Sequence, residues 1–104
     1  MAVKPPKLYQ KYQKRYPKFF DAWEAIGAAA RKAGPVDRKT AHLIQLAAAA
    51  AIRSEGAVHS HARRAVEAGA TRTEVRQAIM LIAATIGFPN CVAALSWAED
   101  VLRG

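Results

Sequence analysis

The chain has 104 residues, a net charge of +8 and one cysteine, a size that predicts a single domain with one core. Apolar residues make up 52% but aromatics only 8%, so alanine, the best helix former and a poor strand former, supplies much of the apolar content and an all-α fold follows. The lone Cys91 excludes an intrachain disulfide, and the apolar run from Leu43 to Ile52, ten residues, is far short of the ~20 needed to cross a bilayer.

The basic balance favours a partner that is nucleic acid, an anionic membrane surface or an acidic small molecule, without choosing among them. A single free cysteine fits a reducing compartment. No apolar segment follows the charged N-terminus, so the expected location is the cytoplasm.

Residues 1–16 read as a basic arm on a domain that occupies 1–104. Lys4, Lys7, Lys11, Lys14 and Arg15 precede the first acid, Asp21, and Tyr9, Tyr12 and Tyr16 recur at helical intervals among them. Basic and aromatic residues interleaved in this way can stack single-stranded nucleic acid. The commoner outcome is an arm that packs its tyrosines on the body or a neighbouring subunit and leaves its lysines in water. Pro17 suits a first helical turn. From Lys18 to Ala33 an amphipathic helix is expected, with Phe19, Phe20, Trp23, Ile26 and Gly27 on one face; such a stripe could line a ligand pocket, and more often packs in the core. Gly34-Pro35 ends it.

Asp37 is a good N-cap for a helix running to about Ile52. That helix is apolar nearly all round, and five alanines at 47–51 would let another backbone approach closely. So small a domain can hardly cover it, which points to a subunit interface and a homo-oligomer. Ser54 caps the next helix, Glu55 suits its positive end and Gly69 stops it at Ala68. Thr71 and Glu74 form a capping box. The helix they open carries Val75, Ile79, Ile82, Ala83 and Ile86 on one face. The stretch 87–90 should break it, with Asn90 capping a last helix that carries Val92, Leu95, Trp97, Val101 and Leu102.

His59 and His61 are two residues apart, so on a helix they point about 200° away from each other. They cannot make the i, i+4 pair of helical zinc sites, and no metal site is expected. Glu55, His59 and Arg63 share one stripe at i, i+4, i+8. Glu55 could orient His59 as an acid–base group while Arg63 holds an anion, or the three could be a surface ladder worth little. His61 points the other way, toward the apolar helix before it, where a half-buried imidazole needs a partner. Cys91, beside Asn90 at an expected helix start, reads either as a dipole-activated thiol or as a small packed residue.

Residues 55–65, EGAVHSHARRA, followed by EAGAT at 67–71, resemble the core motif of the carboxymuconolactone decarboxylase and alkyl hydroperoxidase D-like family. Asp37-Arg38-Lys39-Thr40, Leu43-Ile44, Glu74, the 87–89 GFP and the 97–102 WAEDVL extend the likeness over most of the chain from about Tyr16 to Leu102. The resemblance implies a small helical subunit with a central hairpin from Asp37 to Ala68, five or six helices in all, in a trimer or hexamer. In the peroxidase-like branch two cysteines precede the motif histidine by seven and four residues. Counting back from His61, those places hold Ser54 and Ala57. The glutamate that relays protons in that branch is matched by His42. A thiol mechanism needs a low-pKa thiolate and a resolving thiol, so antioxidant activity of that type is disfavoured.

The decarboxylase branch also lacks the cysteine pair and keeps the histidine. Its likeness implies acid–base chemistry on, or binding of, a small anionic metabolite, with no cofactor. His61 and His42 would be the proton-handling pair, whose repulsion when both are charged would lower at least one pKa. Glu55 and His59 would assist, and Arg53, Arg63 or Arg64 would hold a carboxylate. Two other readings stay open: the hydroperoxidase, and a non-catalytic binding or assembly module whose arm contacts nucleic acid.

Overall fold

The computed structural model describes residues 5–102, so Lys4 of the basic arm lies outside the described residues. Among those residues the structure is all-helical, with α1 (Lys7–Arg15), α2 (Pro17–Lys32), α3 (Arg38–Ala51), α4 (Glu55–Glu67), α5 (Arg72–Leu81), α6 (Ala83–Ile86) and α7 (Phe88–Leu102). None of these helices is long and apolar enough to cross a membrane.

The local signals explain the boundaries of the central elements. Asp37 accepts the Thr40 N–H at the start of α3, and Ser54 accepts the Ala57 N–H at the start of α4. Between them Arg53 takes a left-handed φ of 58° to turn the chain. Gly69, at φ 107°, lies just beyond the Ala68 C-cap of α4. The capping box of α5 is complete, with Thr71 Oγ1 accepting the Glu74 N–H and Glu74 Oε1 accepting the Thr71 N–H.

The α3–α4 hairpin is the most extensive helix pair, and α7 packs across α4 and α5. Leu46, Val58, Val75 and Ile79 are the largest fully buried side chains of the core. The remaining core is largely alanine: Ala49, Ala50, Ala62, Ala65, Ala94 and Ala98. Small side chains at the contacts shorten the distance between helix axes. Two ion pairs, Lys39–Glu74 at 3.1 Å and Arg76–Glu99 at 2.6 Å, tie α3 to α5 and α5 to α7.

Three local expectations are corrected. The face of Val75, Ile79, Ile82, Ala83 and Ile86 does lie on the core, but on two helices. At Ile82 the chain leaves helical geometry (φ −98°, ψ 4°) and its N–H bonds Ile79 O three residues back, the tighter i→i+3 step that often ends a helix. Asn90 does not cap the last helix, which begins two residues earlier, at Phe88. Gly87 makes the break at φ 89°, and Asn90 Nδ2 donates back to Ile86 O at 2.8 Å. Finally, the aromatic stripe of α2 is not core. Phe19, Trp23 and Ile26 are 67, 60 and 64% exposed, because α2 packs on α1 and makes no extensive contact with α3–α7.

Within the basic arm, Lys7–Arg15 form the helix α1. Tyr9 meets the Phe20 ring edge-on at 5.2 Å, and Tyr12 stacks on Tyr16 at 6.2 Å. Of the three tyrosines only Tyr9 is half-buried; Tyr12 and Tyr16 stay largely in solvent.

Candidate functional site

The hairpin brings together two histidines 19 residues apart. His42, one turn into α3, is only 3% exposed, and His61 reaches it from the middle of α4. Their Nδ1 atoms are 3.4 Å apart and the ring planes are tilted by 33°. When both rings are neutral, one Nδ1 carries the proton and the other accepts it.

Both rings line a half-open pocket of about 600 Å³ between the hairpin and the α1–α2 pair. Arg38 and Arg64 reach it from α3 and α4, and Arg31 from α2. None of the three has an ion-pair partner among the described residues. The two acids at the pocket are engaged: Glu24 accepts from Gln13 at 3.0 Å and Glu67 faces Arg63 at 4.0 Å. Tyr9, Trp23 and Ile26 form the opposite wall. Trp23 and Ile26 belong to the stripe expected in the core.

The electrostatics follow from burial beside excess positive charge. Burial pushes the His61 pKa down to about 4, with Arg64, then His42, then Arg63 adding to it. Burial also lowers that of His42, followed by Arg64, Arg38 and Arg31, while the side chain of Gln45 acts in the opposite direction. Both imidazoles are therefore neutral near pH 7. Mutual repulsion, the cause expected from sequence, contributes less than burial and Arg64.

The other anticipated residues lie elsewhere. Arg53 sits in the turn between α3 and α4, exposed and away from the pocket lining. Arg63 has a side chain only 10% exposed and faces Glu67. Glu55 and His59 are on the far side of α4. There His59 Nε2 is 3.9 Å from Glu55 but 2.9 Å from Asp100 of α7. Asp100 is the better partner and lies 41 residues on in sequence. Glu55, His59 and Asp100 offer donor atoms within 4.8 Å of one another, the group among the described residues that could hold a metal ion. Cys91 is 4% exposed, with Sγ 3.9 Å from Ile79 O, and does not line the pocket. Ser54 and Ala57 meet across a single hydrogen bond in the first turn of α4.

Sequence reading missed Arg38, Gln45 and Arg31, and gave the α2 aromatics to the core ahead of a pocket wall. Arg38 and Gln45 were within reach, since they stand four before and three after His42 and so share its helix face. Arg31 and Trp23 follow only from where α2 lies.

The sequence profile of the carboxymuconolactone decarboxylase family matches residues 17–100. The chain belongs to the carboxymuconolactone decarboxylase family. A crystal structure of a carboxymuconolactone decarboxylase family protein from Legionella pneumophila, in its apo form, superposes with a TM-score of 0.78 at 27% identity, covering 93% of this chain and 89% of that one. An uncharacterized protein of Haemophilus influenzae is 42% identical over 59 residues, 57% of this chain and 52% of that protein. The chain thus spans about half the length of that relative. Membership of the carboxymuconolactone decarboxylase family carries the fold, while the reaction has to be argued from the site.

Proposed function

We propose that the chain binds a small organic anion in the His42–His61 pocket and performs acid–base chemistry on it without a thiol, as a decarboxylating lyase would on a carboxylated lactone. The observation that carries this reading is the 3.4 Å contact between two pocket-lining imidazoles, set among three arginines that have no acid partners among the described residues. Arg64, with Arg38 and Arg31, holds the carboxylate, where paired guanidinium donors suit its geometry. His61 and His42 act as one proton-handling unit. A proton given up at Nε2 of one ring is replaced across the Nδ1 contact from the other, which takes one up at its own Nε2. Low pKa values keep both rings neutral, so one offers an N–H and the other a lone pair at the same pH. Loss of carbon dioxide leaves negative charge that such an N–H can quench, while the arginines stabilise it.

The exposed face of Phe19, Trp23 and Ile26 supports a homo-oligomer, in which a second copy covers α2. A hydroperoxidase is disfavoured because Ser54 and Ala57 stand at the cysteine positions and the buried Cys91 is away from the pocket.

The test is turnover of a panel of carboxylated lactones by wild type, His61→Ala and His42→Ala. Both variants should lose activity by at least about a hundredfold. Undiminished turnover in both would sink the reading. Anion binding that needs Arg64, without turnover of any substrate, would instead favour a binding protein.

A further inference from the structure

Helical spacing gives His59 no histidine at a ligand interval, and the donors that join it are carboxylates from two helices. Glu55 opens α4 one turn before His59, and Asp100 lies in the last turn of α7. His59 Nε2 stands 2.9 Å from Asp100 Oδ2 and 3.9 Å from Glu55 Oε2, and the three donor atoms lie within 4.8 Å of one another. A neutral imidazole can meet only one of these carboxylates with its single proton, so the other is left facing a like charge. The chain has 16 lysines and arginines against 8 acids, yet among the described residues neither Glu55 nor Asp100 has a lysine or arginine partner. Glu67, Glu74 and Glu99 do, in Arg63, Lys39 and Arg76. Asp100 also sits at the negative end of its helix, where a carboxylate is unfavourable. The local charge therefore favours a cation that no side chain among the described residues supplies.

We propose that Glu55, His59 and Asp100 form a site for a divalent metal of the zinc class, bridging the start of α4 and the end of α7 and keeping a position for water. Two donors about 2.1 Å from a tetrahedral ion stand about 3.4 Å apart. The separations of 2.9 and 3.9 Å bracket that value, so small rotations of two exposed carboxylates complete the geometry. The helices need not move, because α4 and α7 already pack together. One imidazole nitrogen with two carboxylate oxygens favours zinc and its neighbours over magnesium and calcium, which prefer oxygen alone. Arg63, one turn beyond His59, is turned to Glu67 at 4.0 Å and leaves the negative charge of the site in place. His59 leaves α4 on the side opposite His61, so the metal site stands or falls independently of the anion pocket.

The test titrates zinc chloride into metal-free protein and follows amide and imidazole chemical shifts in wild type, His59→Gln, Glu55→Gln, Asp100→Asn and His61→Gln. Wild type should bind one equivalent with a dissociation constant of about 10 μM or below, with shifts centred on Glu55, His59 and Asp100. The first three variants should each bind at least about tenfold more weakly, while His61→Gln matches wild type. A tenfold excess of zinc over that constant should raise the melting midpoint of wild type by about 5 °C or more and leave that of Asp100→Asn where it is in chelator. Affinity that ignores both Glu55→Gln and Asp100→Asn, shifts centred on the pocket histidines, or no binding below about 1 mM overturns the proposal. Should a variant fail to fold, cobalt(II) on wild type decides alone. Paramagnetic broadening centred on Glu55, His59 and Asp100 supports the site, and broadening centred elsewhere overturns it.

Discussion

Acid should destabilise this fold through His61. Its pKa is about 4 in the folded chain, against an ordinary 6.5. Because the folded value is lowered, the unfolded chain takes up the proton first as pH falls. Stability is therefore full above about pH 6.5 and is lost progressively down to about pH 4, below which this group changes nothing further. The gap sets a ceiling of about 3 kcal/mol at roughly 1.4 kcal/mol per pH unit. The ring is partly exposed, which lowers the expectation to about 2 kcal/mol. The experiment compares urea unfolding of wild type and His61→Gln, followed by circular dichroism, at pH 7 and pH 4.5. Wild type should lose about 2 kcal/mol more than the variant over that interval. Asp37, Glu74 and Glu99 also have lowered pKa values and lose their contribution as pH falls below the ordinary carboxylate range. That loss is common to both proteins and cancels in the comparison. An NMR titration placing the His61 ring at 6.5 or above, or equal pH dependence in the two proteins, would refute the argument that this imidazole is buried neutral among arginines.

Arg64 is the leading charge acting on both rings after burial, so Arg64→Gln should raise the pKa of His61 and of His42 together, as read from imidazole proton shifts. Thr71→Ala removes one half of the α5 capping box and should cost about 1 kcal/mol in chemical denaturation. Ile79→Ala empties a fully buried site under α7 and should cost about 3 kcal/mol, enough to show as a clear fall in midpoint. Asp100→Asn weakens the exposed contact to His59 and should change stability by less than about 1 kcal/mol, with turnover unaffected. Lost activity in that folded variant would move the chemistry to the α4–α7 edge.

How far the sequence reads through to the structure depends on the range of the interaction. Asp37, Ser54, Thr71 with Glu74, and Gly69 are caps and stops that act within a few residues, and each sits where its side-chain chemistry requires. Asn90 misled because the left-handed conformation of Gly87 ends α6 by itself, which frees Asn90 to bond backward to Ile86. Helical spacing separated His61 from His59 and aimed His61 at α3. It could not say that His42 would be the residue it meets; only the family likeness named that position. Helical spacing offers His59 only Glu55, four residues before it, whereas the closer carboxylate comes from α7.

What the sequence by itself determined is the set of helices and the direction each titratable side chain leaves its own helix, because propensity, caps and the 3.6-residue period all act along the chain. Tertiary structure alone decided which groups face one another. The α3–α4 hairpin sets His42 against His61, and the separation of α2 from the body leaves a hollow where a core was expected. The hairpin and α2 then placed arginines around those rings. Burial and charge depend on everything within a few ångströms, most of it distant in sequence, and so the protonation of the pair belongs to the folded molecule.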